Sequence, residues 1–279
     1  IEIGSVALEL GVYEISEKTG VRSIDHVKHM IALGKDTFED GKISYQMVEE
    51  TCRVLKDFAS IMKGYQVSEY RAYATTAMRE AKNSQIVLEQ IRVRTGIQVK
   101  VLSNSEQRFI RYKAIAIKAS EFQKTIQKGT AIADVGFGSM QASVFDKDSL
   151  ISTQNLPLGV LKLRQILTHA KLSAQAEQSL VMELIDNELL TFRKMYLKDR
   201  EIKHLIAIGD PILTMYYKLN GITRSDRLTA EKFNSFFEWM RTKTRAQLED
   251  AFDVNGEYAS MMFPTVAIYK SCLLYTSPS

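Results

Sequence analysis

The chain has 279 residues, of which 45% are hydrophobic and 25% charged, with a formal net charge of +4. These values are typical of a globular protein of two domains, and the small positive charge argues against a dedicated nucleic-acid binder. No stretch approaches the roughly 18 consecutive apolar residues of a membrane span, and no secretory leader is visible, so we expect a cytoplasmic protein with no membrane partner.

The two cysteines are far apart in the sequence. Cys52 lies inside a helical pattern, which predicts buried thiols in a reducing compartment and not a disulfide or a zinc site. The chain begins at Ile1 without a methionine, and residues 272–279 interrupt the preceding helical pattern. We expect this last segment to be a non-native tail.

The first half of the chain has the pattern β-β-β-α-β-α-β-α. Alternating apolar residues predict three strands within residues 1–31, and Ser44 is expected to cap a helix that Gly64 closes. The later elements are predicted as a strand at 70–74, a helix from Asn83 or Ser84 to about 94, a strand at 97–101 and a helix at 105–123.

The second half begins after a polar stretch at residues 123–129. Its predicted elements are strands at 130–135, 141–145 and 150–155, a helix at 173–196, a strand at 204–209 and mainly helices from 229 onward.

Both halves open with a strand that ends in an acid, an apolar residue and a glycine. These openings are Glu2-Ile3-Gly4-Ser5 and Asp134-Val135-Gly136-Phe137-Gly138-Ser139. Such a duplication predicts two RNase-H-like α/β lobes, residues 1–124 and 125–279, each with a mixed sheet of about five strands flanked by helices. We expect a ligand in a cleft between the lobes.

Glycine–serine turns after buried strands suit phosphate binding. Glycine has no Cβ and permits positive φ, so backbone N–H groups can approach a phosphate, and a preceding acid can hold a divalent cation. One such turn is more often a plain hairpin. Two at equivalent places in duplicated lobes favour a phosphate site.

Several segments then resemble one family in the family's own order. Residues 74–83 (Ala-Thr-Thr-Ala-Met-Arg-Glu-Ala-Lys-Asn) are similar to an Ala-Thr-Ser-Ala-x-Arg-x-Ala-x-Asn segment, 134–139 to an Asp-Ile-Gly-Gly-Gly-Ser loop, and 156–163 to a Leu-Pro-Leu-Gly-x-x-Arg-Leu turn. The chain thus resembles the exopolyphosphatase / guanosine-pentaphosphate phosphohydrolase (Ppx/GppA) family of the actin-like ATPase superfamily over roughly residues 1–220.

The resemblance implies hydrolysis of terminal phosphates from inorganic polyphosphate or a guanosine alarmone. It also implies Mg²⁺ as cofactor and a glutamate that orients or deprotonates the attacking water. A homodimer is left open. Matching the family's motifs position by position, we expect phosphate contacts from Gly4, Ser5, Arg79, Gly136, Phe137, Gly138, Ser139 and Gly209, and metal ligation by Glu2 and Asp134. The alternative for Arg79 is an ion pair with Glu80 or a nearby acid.

The expected catalytic positions depart from the family pattern. The catalytic glutamate falls on Gln107, with Glu106 beside it as a candidate substitute or a plain surface acid. Gln141 replaces a second glutamate, and Phe137 places a bulky residue where a glycine is expected. Glutamine cannot accept a proton at neutral pH, so we expect reduced turnover.

Three functions therefore remain open. The first is a phosphohydrolase of reduced activity, the second a catalytically inactive regulator that binds polyphosphate or an alarmone, and the third an actin-like ATPase or kinase. Residues 74–83 favour the first two over the third. Gln107 and Gln141 favour the regulator over the active hydrolase.

Overall fold

A computed structural model of the protein describes residues 1–18, 20–116, 124–170, 174–197, 200–220 and 228–276. The chain divides into two compact units, Ile1–Arg111 and Tyr112–Ser279. This division falls earlier than the boundary after residue 124 that the sequence suggested, since the Tyr112 ring already packs on Phe145 of the second unit with ring centroids 5.9 Å apart.

Nine strands and eleven helices are present in the described ranges. The strands are β1 (Glu2–Ile3), β2 (Ala7–Ser16), β3 (Gly20–Met30), β4 (Ala72–Ala74), β5 (Val99–Val101), β6 (Thr130–Val135), β7 (Met140–Asp146), β8 (Ser149–Leu156) and β9 (His204–Ile208). The helices are α1 (Leu33–Asp40), α2 (Tyr45–Gly64), α3 (Thr76–Glu80), α4 (Ser84–Thr95), α5 (Asn104–Ala116), α6 (Val160–Ala170), α7 (Ala174–Phe192), α8 (Asp210–Asn220), α9 (Ala230–Arg241), α10 (Arg245–Phe252) and α11 (Gly256–Thr276), with a π-helical turn at Arg193–Leu197.

The first unit contains a mixed five-stranded sheet in the order β3-β2-β1-β4-β5. The β1–β2 and β2–β3 pairs are antiparallel, whereas β1–β4 and β4–β5 are parallel. Helix α2 begins where predicted, because the Ser44 hydroxyl accepts a hydrogen bond from the Met47 amide at 3.3 Å. Its apolar face joins the sheet in one core, in which Leu8, Leu55 and Phe58 are at most 2% exposed.

The second unit repeats this order with one strand fewer. Among the described residues its sheet has four strands, β8-β7-β6-β9, with β6–β7 and β7–β8 antiparallel and β6–β9 parallel. The predicted mixed α/β sheets are therefore confirmed, and the order of the first four strands of an RNase-H-like fold occurs in both units. Helix α11 contacts both β6 and β9 and is apolar on all sides, so Val266, Ala267 and Ile268 are completely buried.

Two details at helix ends differ from the sequence prediction. Helix α2 does end at Gly64, but the left-handed conformation falls on Gln66, with φ of 54°, and not on the glycine. The expected break at residue 272 is wrong, because α11 continues through the buried Cys272 to Thr276. Both cysteines are buried free thiols, as predicted, and burial raises the pKa of Cys272 to about 12.

None of the helices in the described ranges combines the length and the apolar character that a bilayer crossing requires.

Candidate functional site

Both glycine turns have the same backbone construction. The Gly4 amide donates to the Ala7 carbonyl at 2.9 Å, and the Gly136 amide donates to the Ser139 carbonyl at 2.9 Å. The strand registers also agree, since Ile3 pairs with Leu8 and Val135 with Met140. The amides of the two leading glycines are thus used inside their own turns. Any phosphate contact from these turns would therefore have to come from their later amides.

The acids that precede the turns occupy equivalent places in different environments. Glu2 lies opposite Glu9 across the β1–β2 pair and is exposed, whereas Asp134 lies opposite Gln141 across the β6–β7 pair and is only 6% exposed. Gln141 is equally buried at 5%. The two expected metal ligands therefore differ, because a buried carboxylate is far more costly to leave without a cation or hydrogen bonds.

The second turn is held against the start of helix α6. The Leu161 amide donates to the Phe137 carbonyl at 2.9 Å, and a Cβ added at Gly159 would lie 2.2 Å from the Gly138 carbonyl carbon. Only glycine permits this approach. The Leu-Pro-Leu-Gly motif of the sequence therefore has a structural reason, which spacing alone did not reveal.

Gly209 follows β9 at the same edge of the second sheet. A Cβ added there would lie 3.2 Å from the Val135 carbonyl oxygen and 2.7 Å from the Tyr269 hydroxyl oxygen. Tyr269 itself is 1% exposed and donates to the Ile208 carbonyl at 2.6 Å. The last helix thus supports this turn, a role for Tyr269 that the sequence gave no signal to predict.

Arg79 lies at the corresponding edge of the first sheet, where β1, β4 and β5 end. Its guanidinium donates to the Leu102 carbonyl at 2.7 Å and to the Thr76 hydroxyl at 2.9 Å, and contacts the Gln107 side-chain oxygen at 3.5 Å. All three partners are neutral, and no ion pair of Arg79 occurs in the described ranges. Burial lowers the pKa of Arg79, while Glu80 opposes this shift through its charge without forming an ion pair.

This contact joins two of the expected site residues. Gln107, expected from the sequence to replace a catalytic glutamate, is half-buried and faces the arginine expected to bind phosphate. A glutamate there would form an ion pair with Arg79. The glutamine leaves the arginine's positive charge available for an anion.

Glu106 has a different task at the start of helix α5. Its carboxylate accepts from the Ser103 amide at 3.0 Å and from the Lys100 ammonium at 2.6 Å, while the Ser103 hydroxyl accepts from the Glu106 amide at 3.2 Å. This reciprocal pattern is a capping box. The Lys100 and Ser103 hydrogen bonds lower the pKa of Glu106 to about 2. A carboxylate engaged in this way is a weak base. Its hydrogen bonds give Glu106 a structural role at the start of α5.

The described residues contain no group of three or more acidic, histidine or cysteine side chains that would form a metal centre. Mg²⁺ is often held by one or two carboxylates together with water and substrate phosphates. The buried carboxylate of Asp134, with the side-chain oxygen of Gln141 on the neighbouring strand, is compatible with such a site in the second unit.

The model of the Ppx/GppA phosphatase family matches residues 12–275. Exopolyphosphatase 1 of Mycobacterium tuberculosis is 24% identical over 163 residues, which are 58% of this chain and 46% of that protein. A bifunctional 3-dehydroquinate synthase/phosphatase of Fusobacterium nucleatum is 20% identical over 171 residues, 59% of this chain and 25% of that protein. The chain thus spans half or less of the length of these relatives.

Solved structures show the same fold. An exopolyphosphatase from Cytophaga hutchinsonii superimposes with a TM-score of 0.82 at 17% identity, covering 100% of this chain and 90% of the other. The Ppx/GppA family member of Aquifex aeolicus superimposes with a TM-score of 0.75 at 21% identity, covering 99% and 89%. With the family model matching nearly the whole chain, the protein belongs to the Ppx/GppA phosphatase family.

Proposed function

We propose that the protein is a phosphoanhydride hydrolase of the Ppx/GppA type, acting on inorganic polyphosphate or guanosine pentaphosphate with slow turnover. Family membership supports the reaction class, and the names of the exopolyphosphatase relatives support the substrate class. The proposal includes a cytoplasmic location and no nucleic-acid partner. A homodimer stays a prediction.

The observation that carries the proposal is the environment of Arg79. The guanidinium of Arg79 is half-buried, its described partners are all neutral oxygens, and no acid in the described ranges forms an ion pair with it. Planar guanidinium N–H groups match phosphate oxygens in pairs. A phosphate group bound here would be stabilised by the charge and the N–H groups of Arg79.

The same contact supports the proposal of slow turnover. The arginine contacts helix α5 through Gln107, whose amide cannot accept a proton from water. Loss of a general base typically lowers rates by about 10²–10⁴-fold. In the second unit Gln141 lies opposite Asp134, where a second glutamate was expected, so a further carboxylate is missing.

Mg²⁺ is the proposed cofactor, with Asp134 as its ligand in this chain. When bound, it would neutralise phosphate charge and polarise the scissile phosphate. Asp134 would hold the ion, and the later amides of the Gly136–Ser139 turn would orient the phosphate. Glu2 remains the weaker candidate ligand because it is exposed.

A catalytically inactive regulator is the second candidate, and the same two glutamines favour it. It would use the same residues to hold polyphosphate or an alarmone without releasing phosphate.

The binding part of the proposal is tested by Arg79→Ala. We expect affinity for tripolyphosphate and guanosine pentaphosphate, measured by calorimetry without divalent cations, to fall by about 1.5–3 kcal/mol, since a charge-assisted hydrogen bond is lost. Rising salt should weaken binding to the parent protein.

The matched control is Arg92→Ala. Arg92 is an exposed arginine of the same unit, paired with Glu89 at 2.6 Å, so its removal changes the net charge equally. Unchanged affinity in a folded Arg79→Ala protein would remove Arg79 from the site and contradict the proposal.

A further inference from the structure

A second charged region lies at the other end of the second sheet. A groove of about 630 Å³ is lined by the segment before β6, the β7–β8 turn and the segment before β9. Because β6 runs from Thr130 to Val135, Gly129 at the groove and Gly136 at the turn are at opposite ends of that strand. The groove is therefore separate from the expected phosphate turn of this unit.

The groove carries an excess of positive charge. Its described lining contains four cationic and two acidic side chains, namely Lys128, Lys147, Arg200, Lys203, Asp146 and Glu201. Each acid is already paired, Asp146 with Arg200 at 3.5 Å and Glu201 with Lys203 at 3.3 Å. Lys128 and Lys147 form no ion pair within the described ranges. Two ammonium groups thus remain available to an anion.

The backbone of the groove is fixed. Gly129 has φ of 43°, and a Cβ added there would lie 2.1 Å from the Glu201 carbonyl oxygen. The Lys203 amide donates to the Gly129 carbonyl at 2.8 Å. The lining segments therefore approach each other as closely as glycine permits, which holds the lysine-bearing backbone in place.

Lys147 has an unfavourable conformation for its residue type. Asp146 pairs with Ser149, so the β7–β8 turn has two central residues, Lys147 with φ of 48° and Asp148 with φ of 63°. Turns of this kind favour asparagine, aspartate or glycine at both positions. Asp148 fits this preference and Lys147 does not. A lysine kept in a strained conformation at the edge of a cationic groove points to a role for its ammonium group.

The chemistry of the lining limits the ligand. The described lining residues include no aromatic or large aliphatic side chain on which a base could stack. The volume falls in the range of about 300–1,000 Å³ that is usual for ligand pockets and is larger than one small ion needs. Several phosphate groups without a base meet both conditions.

We propose that this groove is a second anion site that binds inorganic polyphosphate, with Lys128 and Lys147 as its main contacts. The choice of a phosphate chain rests on the proposed function, whereas the anion site rests on the groove itself. A chain bound here would be held away from the Gly136 turn, at the opposite end of β6.

The test is calorimetric titration of the full chain with tripolyphosphate at low salt without divalent cations. The Lys128→Ala/Lys147→Ala variant should bind tripolyphosphate about tenfold more weakly at the groove, since two exposed charge contacts are lost. The control is Lys63→Ala/Lys232→Ala, which lowers the net charge equally at exposed positions outside the groove and should bind like the parent protein.

Lys147→Asn separates binding from folding. Asparagine suits the left-handed turn position, so the melting temperature should stay equal or rise while affinity for tripolyphosphate falls about threefold. Unchanged affinity in both groove variants would overturn the proposal. If guanosine triphosphate bound as tightly as tripolyphosphate and lost as much affinity in the groove variants, the preference for an inorganic chain would be overturned.

Failure of the proposed function would look different. Arg79→Ala should leave the groove titration intact, while the groove variants should leave the Arg79-dependent binding intact. If Arg79→Ala has no effect but the groove variants lose affinity, the second site stands and the first is contradicted.

Discussion

In both units the first strand leads into a turn closed by a 2.9 Å hydrogen bond from a glycine amide, and the strand registers around the two turns correspond. The side chains at these equivalent places differ. The first unit has an exposed Glu2 opposite Glu9, and the second has a buried Asp134 opposite Gln141. The backbone of the two turns is thus alike, and the side chains on it differ.

This difference gives the two units different chemical groups. The first unit presents a cation, Arg79, with neutral partners, while the second presents a buried carboxylate suited to a divalent metal ion. Each unit has a glutamine beside this group where a carboxylate was expected, Gln107 at Arg79 and Gln141 opposite Asp134. The proposed function assigns phosphate binding to groups of both units and attributes slow turnover to the two glutamines.

Of the substitutions that probe the two turns, Gly159→Ala should lower the free energy of unfolding most. A Cβ would lie 2.2 Å from the Gly138 carbonyl carbon, so helix α6 or the second turn must move. We expect a loss of about 2–3 kcal/mol in the free energy of unfolding, measured by urea denaturation.

Gly64→Ala is the matched control, because nothing lies within 4 Å of a Cβ added there. It should be neutral or stabilise by up to about 1 kcal/mol. Equal stability of the Gly159→Ala protein and the parent would show that the second turn is not held by α6.

The two acids should respond unequally to amide substitution. Asp134→Asn should weaken the effect of Mg²⁺ on tripolyphosphate affinity by at least about tenfold, because a metal ligand is lost. Glu2→Gln, at the equivalent but exposed position, should change it by less than about twofold. Thermal unfolding of both variants controls for stability. Equal losses in the two variants would contradict the assignment of the metal site to the second unit.

A smaller effect is expected at the start of α5 in the first unit. Ser103→Ala removes the hydroxyl that caps the Glu106 amide, and should cost about 1 kcal/mol of stability without altering phosphate affinity.

The paired carboxylate of Glu106 adds a pH dependence. Its pKa of about 2 lies below the unfolded value of about 4.3, so its stabilisation is complete above the unfolded value and disappears as pH falls towards 2. Glu106→Gln should flatten the stability profile in this window, measured by thermal unfolding at a series of pH values. Loss of phosphate affinity in either variant would return Glu106 to the binding site.

Much of the fold could be predicted because its signals are local. Alternation identified the strands, Ser44 identified the start of α2, and the repeated acid–glycine openings identified the duplication. The expected break at residue 272 failed because its apolar residues also suit a buried helix, and α11 is buried on all sides. Local pattern does not distinguish a foreign segment from such a helix.

The site was predictable as a set of positions and less so as a set of contacts. Sequence matching selected Arg79 and Gln107 separately, but their contact depends on β4 and β5 ending side by side. The capping role of Glu106 was readable from Ser103 three residues earlier. Tyr269 and the groove lysines depend on long-range packing and the β7–β8 turn, which no motif records.

Under the proposed function the protein holds phosphate and hydrolyses it slowly because position 107 carries an amide. The most direct test measures Mg²⁺-dependent phosphate release from polyphosphate and tripolyphosphate affinity together, in the parent and in Gln107→Glu, beside an active exopolyphosphatase. We expect the parent to bind but to release phosphate at least about 10²-fold more slowly than the active enzyme. Gln107→Glu should bind more weakly, since the new carboxylate pairs with Arg79, and release phosphate faster. Release by the unmodified protein at the rate of the active enzyme would contradict the claim.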